Sequence, residues 1–450
     1  MTKTSRWLYL PIDVKVREIE AKTFLALRAA LRGFNVVIGQ KQKFPSIMSC
    51  YPAGHYLGFG AIESYKGEYA KLRAHGHGIL LQDEEGLVTH SEKIYIRNRL
   101  RPDVLELGEA FIAWGQHQAD LIARERPAHR GLALVSGNPR FDVLRPEQRH
   151  LYKDEVARLK NQHGDYILIN SSFGSCNHYT GKDNYLESLR TKKVIQNEED
   201  FAYYSRYFQY RYDMMQEFLK ILPFLRATFP GNRIIIRPHP SENIATWKKH
   251  ADQLEDVHVI HEGAAISWLL AAGAIIHNFC TTSLEAFALG LAPIAYRPII
   301  DESMETPLPT IASIEARTGG KLIEKTRLVL QGQGDPQRRD KVKILSDYIA
   351  NLSGPYASDV LLDRLEDLPL SPAPEDAAAP LMHMARKMAE KAKAVLSGQG
   401  KNSYVTHKFP GLEINEIRDL ALRMETARGE YAHLKMKKLH DNCILIEGVR

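Results

Sequence analysis

The sequence predicts an α/β protein made of two doubly wound units in tandem, followed by a helical appendage. Three observations carry this. The chain is 450 residues long, too long for one hydrophobic core, which points to two or three units. Short apolar strands alternate with helical stretches in two successive series, the mark of parallel sheets covered on both faces. Near residue 371 the composition changes to SPAPEDAAAP, a Pro/Ala linker.

The elements follow in order. Trp7 to Ile12 reads as a strand and Val16 to Arg32 as an amphipathic helix, with Gly33 at its end and Asn35 to Ile38 as the next strand. GILLQ (78–82), AFIAW (110–114) and LALVS (132–136) continue the first series, and 146–164 reads as a polar connecting helix. The second series opens with YILIN (166–170) and the helix Phe201 to Leu225. It continues through Arg233 to Ile236, His258 to Ile260 and Ala274 to His277, then the helix Ser283 to Leu289 and the strand Pro293 to Tyr296. The expected domains are 1–148, 149–370 and a basic tail at 371–450, helical over 381–397 and 411–439. Ligands of such sheets bind beyond the carboxyl ends of the strands, so two units are expected to place a site in the cleft between them.

Composition narrows the function. With 44% apolar and 25% charged residues the chain is globular, and no apolar run reaches the roughly 20 residues of a bilayer span. Four scattered cysteines without a CxxC pair indicate neither a disulfide framework nor a zinc ribbon, which fits a reducing cytoplasm. Of the net charge of +6, +5 falls in residues 381–450, with thirteen Lys/Arg against eight Asp/Glu. A near-neutral body argues against a nucleic-acid protein. The basic tail is a solvated helix face or a peripheral contact with an anionic membrane. There is no G-x-G-x-x-G after the first strand, no phosphate loop and no G-x-S-x-G elbow. His75-x-His77 lacks a third ligand at metal spacing, so no metal is expected.

Three constellations carry chemistry. Asp83-Glu84-Glu85-Gly86 follows GILLQ; crowded carboxylates raise one another's pKa, which suits a general acid or base, although an acidic turn has the same composition. In Arg237-Pro238-His239-Pro240-Ser241-Glu242, two prolines hold a histidine at a strand end beside a fixed positive charge, an arrangement suited to an anion. In His277-Asn278-Phe279-Cys280-Thr281-Thr282-Ser283-Leu284-Glu285, three hydroxyls mark a strand-to-helix junction. Thr282-x-x-Glu285 fits a capping box, and a helix start with hydroxyls also seats phosphate. Asn170 at the end of YILIN with Ser171 after it, and Asn138 after LALVS, are further candidates for ligand contact or for ordinary turn chemistry.

The order acidic-acidic-Gly, His-Pro, then paired hydroxyls resembles the motifs of bacterial sialyltransferases and Kdo transferases. The chain as a whole is similar to the bacterial surface carbohydrate biosynthesis proteins through LYLPIDVKVREIEAKTFLALRAALRGFNVVIG, SGNPRFDVLRP, GDYILINSSF, RPHPSENIATW and HNFCTTSLEAFALGLAPIAY. The resemblance covers roughly residues 5 to 300. It implies the GT-B fold and a cytoplasmic glycosyltransferase at the inner face of the membrane. Its donor would be a CMP-activated ulosonic acid and its acceptor a glycan or lipid-linked surface polysaccharide. Carried over residue by residue, Glu84 stands at the base position and Glu85 at the second carboxylate. His239 stands at the donor phosphate, and Thr281, Thr282 and Ser283 at the hydroxyl motif. Asp83 is one acid more than the motif holds. Arg237, Ser241, Glu242, Glu285, Asn170, Ser171 and Asn138 complete the expected nucleotide-sugar site. A UDP-N-acetylglucosamine 2-epimerase-like enzyme, a CDP-glycerol-type polyol-phosphate transferase and a non-enzymatic scaffold are the alternatives.

Overall fold

A computed structural model describes residues 6–87, 92–191, 194–370, 408–425 and 429–449. The described chain divides into two compact units. One comprises Met1–Leu87, Tyr95–Leu151 and Ser346–Arg450, and the other Val88–Ile94 and Tyr152–Leu345.

The first unit holds β1 (Arg6–Ile12), β2 (Phe34–Gln40), β3 (His55–Gly58), β4 (Gly78–Leu81), β5 (Ala110–Ala113) and β6 (Ala133–Val135). They pair in parallel in the order β2-β1-β3-β4-β5-β6. These strands are near-continuous apolar runs because helices cover the sheet, as in other parallel sheets. The helix Lys15–Leu31 buries Phe24, Leu25, Leu27 and its alanines. No side chain of its N-cap residue closes this helix. The Glu18 carboxylate instead accepts the N–H of Val14 at 2.7 Å.

In the second unit β7 (Tyr166–Asn170), β8 (Arg233–Arg237), β9 (Val257–Val259), β10 (Ala274–His277), β11 (Ile294–Tyr296) and β12 (Ile314–Ala316) form a parallel sheet. Its order is β12-β11-β10-β7-β8-β9. The chain runs outward from β7 to β9, then returns to the other side of β7 as β10. The order therefore reverses between β7 and β10, and ligands of open α/β sheets bind outside the carboxyl ends at such a point. The core on one face is built by Ile167, Ile169, Ile234, Ile236 and Ile276 against Met214, Phe218 and Leu222 of the helix Glu198–Thr228.

The tail differs from its expectation. The last strands, β13 (Met436–His440) and β14 (Cys443–Ile446), form a hairpin whose β14 pairs antiparallel with β2. Cys443, Ile444, Leu445 and Ile446 are buried, and Gly39 has no side chain where Cys443 and Asn442 press onto it. The helix Ile414–Met424 packs on Lys15–Leu31, as does Ala357–Asp367. The carboxylate of Asp142 accepts the N–H groups of Ala357 and Ser358 and the Ser358 hydroxyl, holding that last helix by its start. Residues 346–370 and the end of the chain thus complete the first unit instead of extending the second, and 436–439 is strand, not helix. The linker at 371–380 and the expected helix at 381–397 lie outside the described residues.

Candidate functional site

At the strand-order reversal of the second unit, three strand ends are joined by buried side chains. Asn170, at the end of β7, donates from Nδ2 to the Thr282 hydroxyl beyond β10. The Ser172 N–H donates to Asn278 Oδ1 at 3.1 Å, and the Ser172 carbonyl accepts from Arg211. Arg211 comes from the helix Glu198–Thr228 and is 2% exposed, enclosed by the rings of Phe173, Tyr207 and Phe279. Sequence reading missed Arg211, because a buried arginine among tyrosines on a long helix belongs to no motif.

The tightest knot is Glu242, which is 3% exposed. Its Oε1 accepts from the Ser171 hydroxyl at 2.8 Å, the Phe173 N–H at 2.9 Å and the His239 N–H at 3.0 Å. Its Oε2 accepts from the Trp247 indole at 2.8 Å. One carboxylate therefore fastens the β7 loop, the β8 loop and the helix Ile244–Ala251 together. Its oxygens are turned into the protein, which differs from its expected place as a ligand contact and makes it a positioning residue.

His239 is exposed at the end of β8. Its Nδ1 accepts the Ser241 N–H at 3.2 Å and meets the Ser241 hydroxyl at 2.8 Å. An accepting Nδ1 places the ring proton on Nε2, so the imidazole can donate to an anion from that atom. Gly174 leaves room for this contact, since a Cβ on it would lie 2.0 Å from the Ser241 hydroxyl and push it off His239.

Several expected site residues sit otherwise. Arg237 is buried, and its guanidinium donates to the carbonyls of Glu262 and Gly263; burial lowers its pKa. The three hydroxyls do not form one seat. Thr281 is exposed and Thr282 is half-buried, donating to Cys280 Sγ. The Ser283 hydroxyl is buried and donates to the Cys280 carbonyl. The capping box fails by one position: the helix Thr282–Ala288 starts at Thr282, leaving Thr281 as N-cap with helical dihedrals and no side-chain bond. Phe279 at φ 52° turns the chain before that start. Glu285 is buried in the same helix. Asn138 lies in the first unit, 2% exposed, where its Oδ1 accepts the Arg140 N–H at 2.9 Å.

In the first unit the acidic run separates by position. Asp83 is fully buried and ion-paired with Arg99; its Oδ1 accepts the Glu85 N–H, and its carbonyl accepts the Trp114 indole. Glu85 is exposed and pairs with Arg17 at 3.1 Å. Glu84 is half-buried, and burial raises its pKa, opposed by Lys22 and reinforced by Glu18. Burial is likewise the first cause at Asp83. The expected crowding of like charges is thus secondary: in this turn one acid is buried as a structural anchor and another faces solvent. Lys22 is itself buried, ion-paired with Glu18 at 3.0 Å and bonded to the Pro11 carbonyl.

His277, at the end of β10, is fully buried and its Nε2 meets the Ser313 hydroxyl at 2.7 Å; burial lowers its pKa to about 3. An unfolded histidine protonates near 6.5. Between those values the unfolded chain binds a proton that the folded chain refuses. The His277 contribution is therefore complete above about 6.5 and is lost as pH falls toward 3, at up to about 1.4 kcal/mol per pH unit. His277→Gln keeps a hydrogen-bonding group and removes the titration. Urea midpoints of the variant should fall less between pH 7 and pH 5 than those of the parent; equal slopes would exclude this cause.

Among the described residues, no group of three or more His, Cys, Asp or Glu is placed to hold a metal ion, and no helix is long and apolar enough to cross a membrane.

Two doubly wound α/β units define a GT-B-like fold. The chain is similar in structure to a putative UDP-N-acetylglucosamine 2-epimerase from Listeria monocytogenes at 13% identity. That match covers 84% of this chain and 100% of the other, with a TM-score of 0.53. It is similar also to the wall teichoic acid polymerase TagF (10% identity, 81% and 89% covered, TM-score 0.49). A UDP-GlcNAc 2-epimerase of Methanocaldococcus jannaschii, solved with UDP-GlcNAc and UDP, matches at 11% identity (81% and 99% covered, TM-score 0.49). No protein-family model and no curated protein matches the chain.

Proposed function

We propose that the protein is an enzyme acting on a nucleotide-activated sugar in the assembly of a surface polysaccharide. The observation that carries this is the knot at the strand-order reversal of the second unit. There Asn170, Ser171, Glu242 and Thr282 fix the loops that present His239, Ser241 and Thr281. The fold neighbour described as a putative UDP-N-acetylglucosamine 2-epimerase supports a nucleotide-sugar substrate. In this reading the Nε2–H of His239 and the Thr281 hydroxyl bind the phosphate and stabilise the charge that develops when its bond to the sugar breaks, while Thr282, whose proton goes to Cys280 Sγ, holds the junction in place.

The narrower reading from motif order is transfer of a CMP-linked ulosonic acid to a glycan or lipid-linked acceptor, with Glu84 removing the acceptor hydroxyl's proton. Epimerisation of a UDP-sugar, or transfer of a CDP-linked polyol phosphate, uses the same phosphate seat. A thermal-shift series with CMP, CDP, UDP and GDP tests the shared core. The recognised nucleotide, at a hundredfold its Kd, should stabilise the fold by about 2.7 kcal/mol. If none of the four raises the melting temperature, the reading fails. Consumption of the matching nucleotide sugar with and without acceptor then separates transfer from epimerisation.

A further inference from the structure

Tyr179 is 66% exposed, the most exposed of the large hydrophobic residues described. An exposed aromatic ring is unremarked when it swings freely, but this one is held. It stacks on His178 with ring centroids 4.6 Å apart at 28°, and His178 contacts Tyr185 in turn at 5.1 Å. The His178 ring is fixed by the Thr180 hydroxyl at 2.7 Å and accepts the Thr180 N–H at Nδ1.

The backbone says where the ring stands. His178 forms an antiparallel bridge with Glu242. On either side of it the Tyr179 N–H donates to the Ser241 carbonyl at 3.0 Å, and the Asn243 N–H to the Asn177 carbonyl at 2.7 Å. Asn177 closes the ribbon, its Nδ2 donating to the Asn243 carbonyl and its Oδ1 accepting the Thr246 hydroxyl. In that register Tyr179 lies directly opposite Ser241, and opposite residues of an antiparallel pair have Cβ atoms about 4.5–5.5 Å apart. Ser241 is the residue that orients His239. A rigid, solvent-facing aromatic pair therefore stands one residue pair from the group assigned to the phosphate.

We propose that Tyr179, backed by His178, is the platform on which the planar base of the nucleotide stacks. The assignment rests on the second unit's knot being a nucleotide site, and it adds what that knot lacks. Hydroxyls and an imidazole held at the phosphate offer no surface to the flat face of a base, whereas an aromatic ring binds any base by stacking. The ligand class is a nucleoside phosphate with its phosphate at His239 and its base on Tyr179.

Calorimetry on the full chain compares the nucleotide found by thermal shift with ribose 5-phosphate, which has the phosphate and sugar but no base. Stacking of this kind corresponds to roughly a five- to hundredfold affinity change. Tyr179→Ala should lose that much for the nucleotide and nothing for ribose 5-phosphate, and Tyr179→Phe should restore the nucleotide affinity. Unchanged nucleotide binding by Tyr179→Ala overturns the platform. So does an equal loss for ribose 5-phosphate, which would make the segment a support for the phosphate seat alone. A parent protein that binds ribose 5-phosphate as tightly as the nucleotide also overturns it, while leaving the phosphate seat standing. If the parent binds neither, the proposed function itself fails and the platform with it.

Discussion

Glu84→Gln is expected to lower turnover of the nucleotide sugar by about 10²- to 10⁴-fold while leaving nucleotide affinity and thermal stability nearly unchanged. The substitution keeps shape and hydrogen bonding but removes the proton acceptor, and general acid–base catalysis is typically worth that much. The neighbouring acids serve as internal controls because the fold gives them other tasks. Glu85 faces solvent against Arg17, so Glu85→Gln should change the rate little. Asp83 is the buried partner of Arg99, so Asp83→Asn should lower stability before it affects chemistry. The pH profile carries a second mark. Burial raises the Glu84 pKa above its ordinary value, and a base works only when ionised. Turnover of the parent should therefore fall as pH drops through a value higher than that of an exposed glutamate. The rate of donor consumption, with the acceptor present, decides the matter. If Glu85→Gln is the inactive variant, the motif is displaced by one residue; if neither variant is impaired, the run is only an acidic turn.

The parts of this fold that could be read from sequence are those whose environment is uniform. YILIN, RIIIR and AIIH are strands because central parallel strands are buried on both faces, and their shortness and isoleucine content separate them from a buried helix such as AISWLLA. His55–Gly58 was not visible: four residues between glycines carry too little pattern, and only pairing with β1 and β4 makes them a strand. The hairpin of β13 and β14 was obscured for a different reason. MKKLH is a charged, partly exposed edge whose identity depends on β14, and β14 depends on β2, some four hundred residues away. At the site, the His239 loop and the β10 junction were legible as motifs. The roles within them were not. Whether Thr282 caps or begins a helix turns on the helical dihedrals of Thr281, and whether Arg237 faces a ligand turns on the carbonyls of Glu262 and Gly263.

Glu242 shows the same gap most clearly, and it yields the second large effect. Four donors converge on its carboxylate. In Glu242→Gln a neutral amide must face them: if its oxygen keeps the Ser171, Phe173 and His239 donors, its NH₂ group points at the Trp247 N–H, donor against donor. Hydrogen bonds to a charged group stabilise by about 1.5–3 kcal/mol, against about 0.5–1.5 for neutral pairs, and an unsatisfied buried donor adds its own penalty. The second unit should therefore lose on the order of 3–5 kcal/mol, read as a lower urea midpoint. The fluorescence of Trp247, identified by difference from a Trp247→Phe variant, should shift as its indole loses its acceptor. Nucleotide affinity should fall at temperatures where the variant is still folded, because the His239 N–H and the β7 loop are then held by a neutral amide oxygen in place of a charged one. The informative contrary result is a variant with parental stability and parental Trp247 emission that no longer binds nucleotide. That would mean the carboxylate meets the ligand itself, as the motif alone had placed it, and that the knot holds without its charge.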